Sequence, residues 1–313
     1  MNQNIHDIIA IDISKDTLQV QTANERFSIS YDNRGLGQLL KRMNRYNSPL
    51  AVCEATGGYE SILMDLLHEK NIAVCLVNPA RIRAFAKSEG IKAKSDPIDT
   101  DVIYRFSQEK QLKITPPPDP LRKEIAILMD RRSQLSDELA REKNRMQKRH
   151  CDIAIKSIKR MIAFIEKEIE TVEKAIREVI KQSEELKAQF NAMQTVKGVG
   201  EVTAWSVLAY LSEIGDLNLN RNQITALAGL APFDRDSGKY KGKRHIQGGR
   251  AKIRNCLYMA AKSAAIHNQL IKKYVTGLMS RGKSYKMALT AAMRKILLHL
   301  QSIIKNLQLE LVS

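Results

Sequence analysis

Hydrophobic residues alternate with polar ones at the start of the chain and then change period, and that change organises the sequence. Residues 8 to 30 read as three short strands, DIIAIDIS, DTLQVQTA and RFSISY, with turn signals at Lys15-Asp16 and Asn24-Glu25, the pattern of an antiparallel meander. Helical spacing follows: Leu36, Leu39, Leu40 and Met43 form one stripe, PLAVCEA is a buried strand, ILMDLLHEK a helix, and IAVCLVN another strand before a further helix. A meander followed by alternating helices and strands is the order of a ribonuclease-H-like layered α/β domain. A doubly wound nucleotide binder lacks the opening meander.

The stretch KITPPPDPL, 113 to 121, cannot continue a helix and marks a domain boundary or a stiff connector. Two long helices follow. The first, 121 to 148, carries a weak seam through Leu121, Ile125, Leu128, Leu135 and Leu139. The second runs Ile155, Ile158, Ile162, Ile165, Ile169, Val172, Ile176 and Val179 at spacings of three and four, a coiled-coil seam. It serves an intramolecular helical hairpin or a contact between copies. From about residue 189 the chain is helical again, interrupted by a basic loop at 232 to 249. The expected fold is therefore α/β plus all-α, in three parts: an α/β domain at 1–112, linker and coiled-coil helices at 113–188, and a helical domain at 189–313.

Charge narrows the partners. In 313 residues, Lys and Arg outnumber Asp and Glu by 51 to 34, for a net +17. Such an excess self-repels unless a polyanion is near, and nucleic acid is the first candidate. No run of about 18 apolar residues exists and the N-terminus lacks the order of a signal peptide, so a soluble cytoplasmic protein with no membrane partner is expected. Cys53, Cys75, Cys151 and Cys256 form no CxxC pair and read as buried free thiols.

The acids stand against this basic background. In KAKSDPIDTD, 92 to 101, Asp96, Pro97 and Asp99 describe a well-made helix start. Asp12, however, sits inside the apolar strand IIAIDIS, where an unpaired carboxylate costs several kcal/mol. Glu54 ends PLAVCEA, at the carboxyl edge of a strand, where open α/β sheets hold ligands. If the first strand and the strand after the first helix are neighbours, Asp12 and Glu54 meet, and Asp96 and Asp99, three apart, add two acids from one helical face. Asp101 turns away and reads as a solvated neighbour. Four close carboxylates repel one another unless divalent cations neutralise them, and oxygen ligands suit Mg2+ or Mn2+. Asp12, Glu54, Asp96 and Asp99 are thus the candidate metal ligands, in an arrangement suited to phosphoryl transfer.

Farther on, VKGVGEVTA, 196 to 204, fits a helix-hairpin-helix turn, with Lys197, Gly198 and Gly200 meeting a phosphate at a helix N-terminus. In APFDRDSGKYKGKRHIQGGRAKIR, 231 to 254, a hydroxyl at Ser237 precedes Lys239, Lys241, Lys243, Arg244, Arg250 and Arg254, candidate phosphate contacts. A hydroxyl nucleophile here is Ser237, Tyr240 or Tyr258, and His245 is a base or a loop residue.

The ordered set AIDISKD, CEATGGYE, VNPARIRAFAKSEGIKAKSDPIDTDVI, VKGVGEVTAWSVLAYL, LAGLAPFDRDSG and LYMAA resembles the DEDD transposases of bacterial insertion sequences, related to the Piv DNA invertase and described as bridge-RNA-guided serine recombinases. The resemblance spans nearly the whole chain. It implies a RuvC-like N-terminal domain, a coiled coil and a helical transposase domain, with the family's four acids on Asp12, Glu54, Asp96 and Asp99 and its serine on Ser237. It further implies magnesium, donor and target DNA, a structured noncoding bridge RNA, a covalent phosphoserine intermediate, and a dimer or tetramer. A junction-selective metal-dependent nuclease and a noncatalytic nucleic-acid scaffold are the competing expectations.

Overall fold

Alternation in the first thirty residues produces the three strands it predicts. The computed structural model describes residues 7–91, 96–148, 151–233 and 245–312. The chain divides into two compact units, Met1–Pro117 and Pro118–Ser313, and the division falls inside the proline run.

In the first unit, β1 (Asp7–Ile13), β2 (Thr17–Gln21) and β3 (Arg26–Ser30) pair antiparallel. Then come α1 (Asn33–Met43), β4 (Pro49–Glu54), α2 (Glu60–Glu69), β5 (Ala73–Val77), α3 (Pro79–Ser88) and α4 (Asp96–Glu109). β4 joins β1 and β5 joins β4 in parallel, giving one mixed sheet of order β3-β2-β1-β4-β5. Where one helix was expected after β5, the chain makes two. Asn78 caps α3 through Ala80 N–H at 2.8 Å, with Pro79 following, and Gly90 at φ +71 ends the turn after it.

The period of two in the strands sorts side chains onto two cores. Ile9, Ile11 and Ile13, with Ala51 and Cys53, face Leu36, Leu39, Leu63 and Leu67 of α1 and α2. Ala10, Leu50, Val52 and Cys75 face the opposite way, beneath Ile82 and Phe85 of α3 and Val102, Ile103 and Phe106 of α4. Phe85 and Phe106 meet edge to face at 5.6 Å, and this fixes α3 against α4. Beyond α4, Thr115 continues the edge of β5, its N–H donating to the Val74 carbonyl at 2.7 Å.

The second unit is helical: α5 (Pro120–Met146), α6 (Asp152–Lys181), α7 (Glu184–Gln194), α8 (Glu201–Tyr210), a 3-10 turn at Ser212–Gly215, and α9 (Arg221–Leu227). The short hairpin strands β6 (Pro232–Phe233) and β7 (His245–Ile246) precede α10 (Ala251–His267), α11 (Gln269–Ser280) and α12 (Tyr285–Val312). α5 and α6 pack as an antiparallel hairpin, tied by Arg132–Glu173 at 2.8 Å and, nearer the tip, Lys143–Glu166 at 2.9 Å. Ile125, Met129, Ile176 and Val179 at the other end enter the same core as Trp205, Leu257 and Leu297. Cys53 and Cys75 are buried, but Cys151 is exposed just before α6, contrary to the expectation of four buried thiols. Among the described residues no helix is long and apolar enough to cross a membrane.

Candidate functional site

The sheet sets the acidic site. Ile11 on β1 is in register with Cys53 on the parallel β4, so Asp12 and Glu54, one residue farther along each strand, end side by side. Counting by twos from Ala10 and Val52 puts both acids on the face that α3 and α4 cover, rather than on the α1–α2 face. Asp99 lies three residues before Val102, which packs on that same face, so the helical period returns it to the sheet. These three acids line one cavity of about 380 Å³, together with Thr56, Arg83 and Lys87. Asp96 opens α4, and its side chain lies outside the described residues.

The loop after β4 is held open in a fixed shape. Glu60 accepts from Thr56 N–H at 3.1 Å, the Thr56 hydroxyl at 2.9 Å and Gly58 N–H at 2.8 Å, clasping ATGGY from below. Burial raises the pKa of Glu60, but these hydrogen bonds outweigh it and leave the carboxyl below its usual range. Gly57 and Gly58, at φ +78 and +128, make the turn that a side chain would strain.

Arg83 and Lys87 were not among the expected site residues. They stand four apart on α3, with Ile82 and Ala86, also four apart, lining the cavity beside them. The signal was present in NPARIRAFAK, two cations one helical turn apart directly after the carboxyl end of a strand. In a chain with 51 basic residues such a pair does not stand out.

These cations change the charge argument. Mutual repulsion of the acids is partly offset by Arg83 and Lys87, so repulsion alone no longer demands a metal. Donor chemistry still fits: carboxylate oxygens from three segments are the hard ligands that Mg2+ or Mn2+ takes. Among the described residues, however, no group of three His, Cys, Asp or Glu is close enough to hold an ion. Asp101 is outside the cavity lining. It accepts from Gln21 Nε2 at 3.2 Å and pairs with Arg26 at 3.5 Å, so it is tied to β2 and β3 instead of merely solvated.

In the second unit, Gly200 caps α8 and is exposed, as is Lys197, whose carbonyl accepts from Asn268 Nδ2 at 3.3 Å. Gly198 has φ +103, and a Cβ there would stand 2.5 Å from Ala264 Cβ on α10, so the position needs glycine twice over. Arg250 gives two bonds of 2.6 Å to Glu213 and one of 2.9 Å to the Tyr210 carbonyl, and Arg254 donates to the Gly248 carbonyl. Both expected phosphate contacts are thus engaged by the fold itself. His245 lies 3.3 Å from Gln247 Oε1, and Tyr258 is half exposed on α10. Ser237, Lys239, Tyr240, Lys241, Lys243 and Arg244 lie outside the described residues.

Two family models match in order. One, of the DEDD type and described as "Transposase", covers residues 8–150; the other, "Transposase IS116/IS110/IS902 family", covers 191–276. The "Pilin gene-inverting protein" of Moraxella lacunata is 26% identical over 301 residues, 92% of each chain, and that of Moraxella bovis is 25% identical over the same length and share. A DEDD-type match is inconsistent with membership of the serine recombinase class. That concerns the class, and Ser237 remains a candidate nucleophilic hydroxyl in addition to the acids.

Proposed function

We propose that this chain, a DNA transposase or recombinase whose matches support the IS110 family, cuts DNA at the carboxyl edge of its five-stranded sheet and exchanges strands there. The observation that carries the reading is the shared cavity of Asp12, Glu54 and Asp99 with Arg83 and Lys87. In this reading the first unit is a ribonuclease-H-like, RuvC-like domain. Its strand order, with an antiparallel meander and two parallel additions, supports that.

Asp12, Glu54 and Asp99, with Asp96 as a fourth acid, would hold Mg2+ or Mn2+, which when bound supplies Lewis-acid stabilisation of charge on a phosphate. Arg83 and Lys87 bind nonbridging oxygens of the scissile phosphate and keep the DNA from being repelled by the acids. The Ser237 hydroxyl attacks phosphorus and forms a phosphoserine bond as the P–O bond to the neighbouring sugar breaks, the proton lost by the serine being taken up, in net, by the departing sugar oxygen. A sugar hydroxyl of the incoming strand reverses the step and restores the serine. Lys197 with the Gly198–Gly200 turn, and Lys239, Lys241, Lys243 and Arg244, contact backbone phosphates. A structured noncoding bridge RNA selects donor and target DNA, and the working unit is a dimer or tetramer; the net charge of +17 and the family resemblance support a large polyanionic assembly.

Replacing Ser237 by Ala tests the strand-exchange step. Wild-type protein trapped on a nicked substrate should carry DNA in a protease-sensitive adduct, and the variant should carry none. An adduct that persists in the Ser237 variant, or free ends with no adduct in the wild type, would assign the acids to a hydrolytic nuclease instead.

A further inference from the structure

A second cavity, of about 580 Å³, lies at the base of the β6–β7 hairpin beside α11 and the first turns of α12. That volume is within the roughly 300–1,000 Å³ of small-ligand sites. Pro232, Ile246, Met287 and Tyr274 line it with apolar and aromatic surface, and Lys286 and Arg294 add two cations. Arg294 donates to Asn222 Oδ1 at 3.4 Å through one terminal nitrogen, while its Nε is buried with no hydrogen-bond partner among the described residues. Nε itself is closed off from the cavity, but Arg294 is among the residues that line it, and its positive charge beside that of Lys286 favours an anion there. The surroundings select for anions over a long stretch of chain. Between Asp236 and Glu310 the sequence has no Asp or Glu, against 16 Lys and Arg.

We propose that this cavity holds one unpaired deoxynucleotide of the DNA substrate, with its phosphate on Lys286 and Arg294 and its base against Met287 and Tyr274. The proposal rests on the reading of the chain as a DNA strand-exchange enzyme, because exchange must unpair nucleotides where strands cross. Apolar and aromatic surface beside cations is the arrangement that captures a single base and its phosphate with little regard to sequence. Lys295, 4.6 Å from the centre of the Tyr274 ring, already pairs with that ring and stiffens the wall.

The test uses the full chain and compares binding to a paired DNA duplex with binding to the same duplex carrying one extra unpaired nucleotide, at fixed salt. An RNA duplex with the same bulge is the third arm, and DNA cutting is scored in parallel. Wild-type protein should favour the bulged DNA by about tenfold, the worth of one good stacking contact. Met287→Ala, at a residue 51% exposed and therefore safe for folding, should remove that preference while leaving paired-duplex affinity unchanged. A 2-aminopurine at the bulge should be quenched by wild type and regain emission in Met287→Ala and Tyr274→Ala. Equal affinity for paired and bulged DNA by a protein that still cuts overturns the pocket alone. Equal losses on both substrates in the variants, or a preference confined to the RNA bulge, overturn it too. A protein that neither binds nor cuts DNA removes the enzymatic reading along with the pocket.

Discussion

Arg250 shows how a residue's sequence context and its structural role can part. In the sequence it is one cation of a basic loop; in the structure it precedes α10 and joins Glu213 and the Tyr210 carbonyl, on another part of the chain. Burial pushes the Glu213 carboxyl up, but the Arg250 guanidinium outweighs it and holds the group below the usual carboxylate range. A depressed carboxylate contributes stability that is present above its unfolded pKa, near 4.3, and is lost as pH falls through the lower folded value. Arg250→Ala should therefore cost about 1–2 kcal/mol at neutral pH, discounted because the pair is about one-third exposed. Glu213→Gln should flatten the acid limb of the melting curve below that unfolded pKa. An Arg250→Ala variant that melts like wild type at pH 7 would remove this role. Asp12 was legible because a carboxylate in an apolar strand asks for a reason. Arg83 and Lys87 were not, because exposed cations are common and only the cavity singles these two out.

At the scale of elements, strand alternation carried the reading farthest. It located β1 to β3, buried apolar runs located β4 and β5, and the ribonuclease-H-like order made β1 and β4 neighbours, which the structure pairs in parallel with Asp12 beside Glu54. Helical periodicity was less decisive. The α6 seam has a partner in α5 of the same chain, and periodicity alone could not separate that from a partner in another copy. The order in which α7 to α12 pack was invisible, since their contacts depend on single features such as Gly198 admitting Ala264. The hairpin predicts a gradient of stability along the seam. Ile176 is fully buried near its base, so Ile176→Ala should cost about 2–5 kcal/mol, whereas Ile158→Ala, half-buried near the tip, should cost less than about 1.5 kcal/mol. Chemical denaturation of both variants checks this. Equal costs at the two positions would mean that the tip is covered in solution by something beyond α5.

At the scale of the whole molecule, acid and base are unequally distributed. The first unit carries a pocket of acids edged by two cations, and the C-terminal 70 or so residues before Glu310 carry cations alone. Such a distribution suits an enzyme that grips a polyanion over a wide surface and does its chemistry at one acidic point. The central claim is that this point is the cavity of Asp12, Glu54 and Asp99. The measurement that tests it most directly is strand cleavage and exchange by Asp12→Asn, Glu54→Gln and Asp99→Asn, with DNA binding followed on the same preparations across a Mg2+ titration. Each variant should bind DNA like wild type and lose at least about a hundredfold in cleavage, as expected when a group acting on the transferring phosphate is removed. Wild-type rates of cleavage in Asp12→Asn or Glu54→Gln, or wild-type activity that persists without any divalent cation, would contradict the account.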